Sequence, residues 1–149
     1  MISTATFTDL YAEVLQFYAR QMQQLDACDF EAYGDTFTED AEFRHTPFRE
    51  PARTRAGIVR ELHEFHRERF ANDPVQRRHW FNMVDVDPQP DGSVNATFYA
   101  LVITTRPGTT PDIAPSCVVR DVLVRQDGAL RNRSRRVEHD QIDESAPTS

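Results

Sequence analysis

Between Phe7 and Cys28 the apolar residues Leu10, Val14, Phe17, Tyr18, Leu25 and Cys28 recur mostly at three- and four-residue steps, the stripe of an amphipathic helix. Thr8 is placed to cap its start. A second, short helix is expected from Phe30 to Phe37, interrupted by Gly34. "EDAEFRH" then alternates, with Ala41, Phe43 and His45 on one face and Glu42 and Arg44 on the other, which predicts a strand. The turn-rich "FREPARTRAG" leads into a third helix, Arg55 to Phe70, capped by Thr54 and carrying Ile58, Val59, Leu62, Phe65 and Phe70 on its apolar face. Beyond Pro74 the period drops to two. "RRHWFNMVDV", "SVNATFYALVITT", "APSCVVRDVLVRQ" and "LRNRSRRVEHD" predict four strands, separated by "DPQPDG", "RPGTTPDI" and "DG" turns. Helices come first and an antiparallel meander follows, the mark of an α+β domain in which helices cover one face of a curved sheet.

Composition bounds this picture. A length of 149 residues suits one domain with its own core, here residues 1–141, followed by a small polar tail at 142–149 that is expected to be disordered. Hydrophobic residues at 39% and charged ones at 28% fit an ordinary water-soluble chain. A formal net charge of -7 argues against the broad positive field needed for sequence-independent nucleic-acid binding. No apolar run approaches the roughly 20 residues of a membrane-spanning helix. Cys28 and Cys117 are the only cysteines, lie far apart, and follow a start that reads as lacking a secretory signal, so a reduced cytoplasmic protein with two free thiols is expected.

Three stretches then carry a resemblance: "LDACDFEAYGDTFTEDAEF", "RRHWFN" and "RDVLVRQDGALRNRSRRVEHDQ". In this order, and covering most of Leu10 to Gln141, they resemble the SnoaL-like branch of the nuclear-transport-factor-2 superfamily. The resemblance implies a cone, three helices against a strongly bent sheet with a pocket between them, and a homodimer through the outer sheet face. It is closest to small proteins of actinomycete aromatic-polyketide pathways, including those of pyranonaphthoquinones. Because the superfamily includes cyclases, an isomerase, epoxide hydrolases, oxygenase small subunits and proteins without chemistry, fold alone does not settle function.

Strand faces supply the candidates. In "RRHWFNMVDV", Arg78, Trp80 and Asn82 alternate with Val84 and Val86 and are therefore expected to face inward, leaving His79 outward unless a bulge intervenes. His79 then reads either as a catalytic group or as an edge or dimer-interface histidine. Asp121 shares a face with Cys117, Val119 and Leu123 and needs a partner. It reads as a general acid or base in an apolar pocket, or as half of an ion pair with Arg78 or Arg136, the latter preferred. His45 is placed at the pocket mouth or at the surface, and His66 at the cavity or in the core. Asn132 and Ser134 are expected on the pocket wall, with Arg131, Arg133 and Arg135 on a solvated face. Tyr18, Phe98 and Tyr99, with Trp80, are candidates for stacking on a planar ligand, or plain core.

"HEFH" is not the HExxH zinc pattern, no cysteine cluster accompanies it, and no phosphate loop, dinucleotide fingerprint or nucleophile elbow is present. No metal and no cofactor are expected. The leading reading is a cofactor-free acid–base enzyme, a cyclase, dehydratase or isomerase with His79, Asp121 and Asn82 as catalytic groups. The alternatives are a binding protein that protects or channels a reactive intermediate, and a small subunit supporting an oxygenase.

Overall fold

The computed structural model describes residues 4–45 and 50–141 of the chain, so the tail expected to be disordered lies outside the described residues. Helix α1 spans Thr4–Asp26. Its inward stripe is Leu10, Val14, Tyr18, Gln21 and Met22, all buried. Thr8 therefore sits inside the helix rather than at its cap. Helix α2, Phe30–Gly34, is capped by the Asp29 side chain, which accepts a hydrogen bond from the Ala32 backbone N–H at 3.2 Å. It stops three residues earlier than expected. Strand β1, Phe37–His45, follows closely and includes the expected alternating segment. Gly34 is required by packing, because a Cβ there would run into a methyl of Val59 on the neighbouring helix.

The turn-rich connection holds a short strand β2, Ala52–Arg53, that pairs with β1. Helix α3 then runs over the expected Arg55–Phe70, and the Thr54 hydroxyl accepts from the Gly57 backbone N–H at 3.1 Å. Four long strands follow: β3 (Gln76–Pro88), β4 (Val94–Thr105), β5 (Asp112–Gln126) and β6 (Ala129–His139). The sheet order is β2-β1-β6-β5-β4-β3, antiparallel except where β1 runs parallel to β6. The β5–β6 turn places Asp127 and Gly128 at φ of 54° and 79°, the conformation that suits an Asp-Gly hairpin.

Two bulges reset the inward face. In β3, Asn82 pairs with Tyr99 and Asp85 with Thr97, so β3 carries one extra residue around Met83, whose φ is 54°. In β6, Asn132 pairs with Leu123 but Ser134 with the adjacent Val122, so Arg133 is the extra residue. Each bulge reverses which parity of residue faces the helices. The core lies between helices and sheet in two clusters. One contains Val14, Tyr18, Phe98, Val119 and Leu123, the other Met22, Tyr33, Phe37, Ala41 and Ile58, and half-buried Phe43 and Phe81 pack against both.

Candidate functional site

Arg77, His79 and Phe81 are the half-buried residues of β3 before its bulge, whereas Arg78, Trp80 and Asn82 are exposed, Trp80 by 61%. The expected facing is thus reversed. Val84 and Val86 do point inward, but they lie beyond the extra residue and belong to the other parity. Asn82 uses its side-chain carbonyl to accept the Met83 backbone N–H at 2.8 Å, so it braces the bulge rather than lining a cavity.

His79 is held by Asp26, the last residue of α1. The carboxylate lies 2.6 Å from the ring Nδ1 and also accepts the His79 backbone N–H at 3.1 Å. This is available because β3 is an edge strand, with β4 as its only strand neighbour among the described residues. The two side chains are 16% and 11% exposed. A carboxylate at the negative end of a helix dipole is disfavoured by about 0.3–1 kcal/mol, so His79's two contacts offset a cost that packing alone would not select. Asp26 orients the ring through Nδ1, leaving Nε2 as the nitrogen that can exchange a proton with a bound molecule.

Deeper in the cone, Asp121 is 2% exposed and accepts four hydrogen bonds. Tyr18 Oη donates at 2.8 Å, Asn132 Nδ2 at 3.1 Å, and Arg135 through Nε at 3.0 Å and Nη2 at 2.8 Å. Arg135 also donates to Gln21 Oε1 at 2.6 Å and to the Tyr33 hydroxyl at 3.2 Å. Its guanidinium lies 5.4–5.9 Å from the ring centres of Tyr18, Phe37, Phe43 and Phe81. Burial pulls the Arg135 pKa down, but the Asp121 charge and hydrogen bonds more than offset this and hold it above the ordinary arginine range. Burial pushes the Tyr18 hydroxyl well up, the Asp121 charge adding to it, and burial likewise raises Tyr33.

Asp121 is therefore in an ion pair, as preferred, but with Arg135 rather than Arg78 or Arg136. Simple alternation put Arg135 on a solvated face; the extra residue Arg133 turns it inward. Three of the four donors converge on Oδ2 and one on Oδ1, so Asp121 anchors the cone's interior. Asn132 lies inward as expected, fully buried, while Ser134 falls on the outer side, opposite Val122. Tyr18 and Phe98 are core aromatics, and Tyr99, 59% exposed, is on the outer face with Trp80. His45 lies against Phe43, ring centres 4.7 Å apart, next to the apolar wall. His66 packs its ring near Phe30 and Phe70, between α2 and α3, away from the Asp121 network.

Asp26, Arg77 and Arg135 were not among the expected site residues. Asp26 had a signal, since it continues the Tyr18–Met22 stripe of α1 by a further four residues. Arg135 and Arg77 had none in local alternation. A buried Asp121 nonetheless required a cationic partner from some strand. Among the described residues no group of three or more His, Cys, Asp or Glu side chains is arranged to hold a metal ion. A separate groove of about 500 Å³ between α2 and α3 is lined by Glu31, Asp35, Arg55, Arg60 and His63 among others, outside the cone.

Helices closing one face of a curled six-stranded sheet, with polar groups buried between them, define an α+β fold of the nuclear-transport-factor-2-like class. Within it, the SnoaL-like domain matches residues 7–136, and the chain belongs to that family. ActVI-ORFA from Streptomyces coelicolor is 51% identical, with a TM-score of 0.84 over 90% of this chain and 99% of that one. A protein from Catenulispora acidiphila, solved in complex with S-DNPA, is 57% identical over 89% of this chain and 95% of that one, with a TM-score of 0.81. Aln2 from a Streptomyces species is 40% identical over 89% and 91%, also with a TM-score of 0.81. No curated protein sequence gives a significant match.

Proposed function

We propose that this chain is a small-molecule pocket protein of aromatic polyketide biosynthesis that carries out cofactor-independent acid–base chemistry, a cyclisation, dehydration or isomerisation, on a bicyclic or polycyclic intermediate. The observation that carries this reading is the Asp26–His79 pair, half-buried on the inward face of β3 beside Phe81. The likeness to ActVI-ORFA and Aln2, proteins of actinomycete polyketide biosynthesis, supports the pathway, and the S-DNPA complex of the Catenulispora relative supports a small-molecule ligand.

In this reading His79 Nε2 removes a proton next to a carbonyl, or delivers one to a departing oxygen, and Asp26 stabilises the imidazolium formed in between. Phe43 and Phe81 supply the apolar wall, and the Asp121–Arg135 network keeps the floor rigid. All 17 basic side chains of the chain are arginines, so imine chemistry through a lysine amine has no residue to carry it. The test is incubation of the purified protein with S-DNPA and with bicyclic polyketide intermediates, followed by absorbance and mass spectrometry. Conversion that His79→Gln abolishes supports the enzyme. Spectral shifts without conversion of any of these compounds overturn it in favour of a protecting or channelling protein.

The outer sheet face supports a homodimer. Trp80 and Leu101 are cross-strand partners there, Tyr99 pairs with Val118, and Trp80, Tyr99 and Leu101 are exposed. Sedimentation of Trp80→Glu against the parent chain tests this: a dimer that persists unchanged removes this face from the interface. Cys28 and Cys117 are free thiols and no described helix is long and apolar enough to cross a membrane, in keeping with a cytoplasmic location.

A further inference from the structure

The two ends of α3 are held in different ways. At its start, the Thr54 cap, two hydrogen bonds from Arg55 to the Phe37 carbonyl at 3.0 and 2.6 Å, and the buried Ile58 and Val59 fix the helix to β1 and the core. Over residues 62–70 nothing is buried, and among the described residues no side chain of 64–70 hydrogen-bonds to another element. Rings make the contacts there instead. His63 and His66 meet Phe30 with ring centres 5.0 and 5.9 Å apart, and the Arg77 guanidinium lies 5.6 and 5.3 Å from the ring centres of Phe65 and Phe70. The contact with Arg77 is opposed as well as held, because Arg69 lies over the same Phe65 ring at 5.4 Å and two guanidinium groups share it.

This weakly held stretch runs along the candidate site. Leu62 and Phe81 pack against the same core cluster, while Phe65 and Phe70 meet Arg77. Leu62 to Phe70 is about 12 Å of helix and Phe81 to Arg77 about 13 Å of strand, so the two lie side by side over a span whose middle is His79. Neither the groove of about 500 Å³ between α2 and α3 nor a cleft of about 440 Å³ at the β3–β4 turn has Asp26 or His79 in its wall. The pair is thus largely covered, its side chains only 16% and 11% exposed.

We infer that residues 62–70 of α3 are a flap latched over the mouth of the cone by Arg77, and that a ligand reaches His79 when this stretch lifts. The inference rests on the reading of the cone as a ligand pocket and adds a gate to it. Past the helix, Arg106 donates three hydrogen bonds of 2.7–3.2 Å to the Asp73 carboxylate. The motion is therefore a local lift between two ties, drawn from the low-stability end of the fold as lids generally are.

Hydrogen exchange of the full-length chain, read by mass spectrometry with and without saturating S-DNPA, is the first test. The amides of 62–70 are expected to exchange at least about tenfold more slowly with the ligand in place, and those of 55–61 equally in both states. Without ligand, Arg77→Ala is expected to speed exchange over 62–70 about tenfold. The second test locks the flap: Phe70→Cys and Arg77→Cys in a Cys28→Ser background, bridged by a short bismaleimide, should take up S-DNPA at least about tenfold more slowly than the same variant left unbridged. Exchange over 62–70 that ignores bound S-DNPA in the parent chain, which requires no variant to fold, overturns the flap and leaves the pocket standing. Exchange that ignores Arg77→Ala, or a bridged form that takes up S-DNPA as fast as the unbridged one, does the same. Failure of the parent chain to bind S-DNPA overturns the pocket reading and the gate along with it.

Discussion

The floor and the mouth of the cone contain the same chemical vocabulary, a carboxylate bound to a basic side chain among aromatic rings, yet they are built to opposite ends. At the floor, Asp121 and Arg135 are 2% exposed, and Tyr18, Asn132, Gln21 and Tyr33 satisfy them from helices and strand alike. At the mouth, Asp26 and His79 remain partly open to solvent, one ring nitrogen of His79 points away from the carboxylate, and the Arg77 Nε has no hydrogen-bond partner among the described residues. A polar network with many protein partners resists change and specifies structure, and one with few has capacity left for a ligand. Burial and the number of partners, rather than residue type, separate the floor from the mouth, although at the floor the Asn132 Oδ1 has no hydrogen-bond partner among the described residues.

Breaking the floor gives the largest effect. Arg135→Met leaves the Asp121 charge buried and unpaired and is expected to cost about 3–5 kcal/mol in urea denaturation. Adding Asp121→Asn should recover part of this loss, because the uncompensated charge is then gone. A simple sum of the two single losses would show that the pair does not act as a unit. At the mouth the sign of the contrast reverses. His79→Gln should lower turnover of the natural intermediate by about 10²–10⁴-fold with little change in the denaturation midpoint. Comparable losses of stability and activity would make the mouth a second scaffold.

Alkaline pH sharpens the same comparison. The Tyr18 and Tyr33 hydroxyls are raised in the folded state above the ordinary value of 10.0, mainly by burial, so the folded chain retains protons that the unfolded chain has lost. Their contribution is complete below about pH 10 and is lost as pH rises from there through their folded values. In a spectrophotometric titration two of the four tyrosines should therefore resist ionisation until the chain unfolds. Four tyrosines titrating together near pH 10 with the fold intact would show the floor open to water. The smallest effect concerns the bulge between the two regions. Asn82→Ala removes one side-chain acceptor for the Met83 N–H, with an expected stability loss of about 0.5–1.5 kcal/mol and no loss of ligand binding. A large binding defect would return Asn82 to the site.

Much of the architecture was legible along the chain. The apolar steps over Arg55–Phe70, the Thr54 cap and the Asp-Gly turn all correspond to what forms, because each depends on a few neighbouring residues. Thr8 misled because α1 begins at Thr4, one turn earlier than its apolar stripe. Asp121 was readable as a buried carboxylate needing a cation, since Cys117, Val119 and Leu123 accompany it on one strand face. Which cation answers it was not readable, and neither was the inward turn of His79.

By itself, then, the sequence determined the element types, their order, the α+β class and the family resemblance, because hydrophobic period and turn chemistry act over a turn of helix or a pair of strand residues. Only the tertiary structure decided which of Arg77 and Arg78, His79 and Asn82, or Arg135 and Arg136 faces the interior. The reason is physical: strand alternation is a rule of parity, and one extra residue at Met83 or Arg133 inverts it. Where that residue is accommodated depends on pairing with β4 and β5, from strands distant in the chain or reached across a turn. The site lies on the strand faces that those two bulges select.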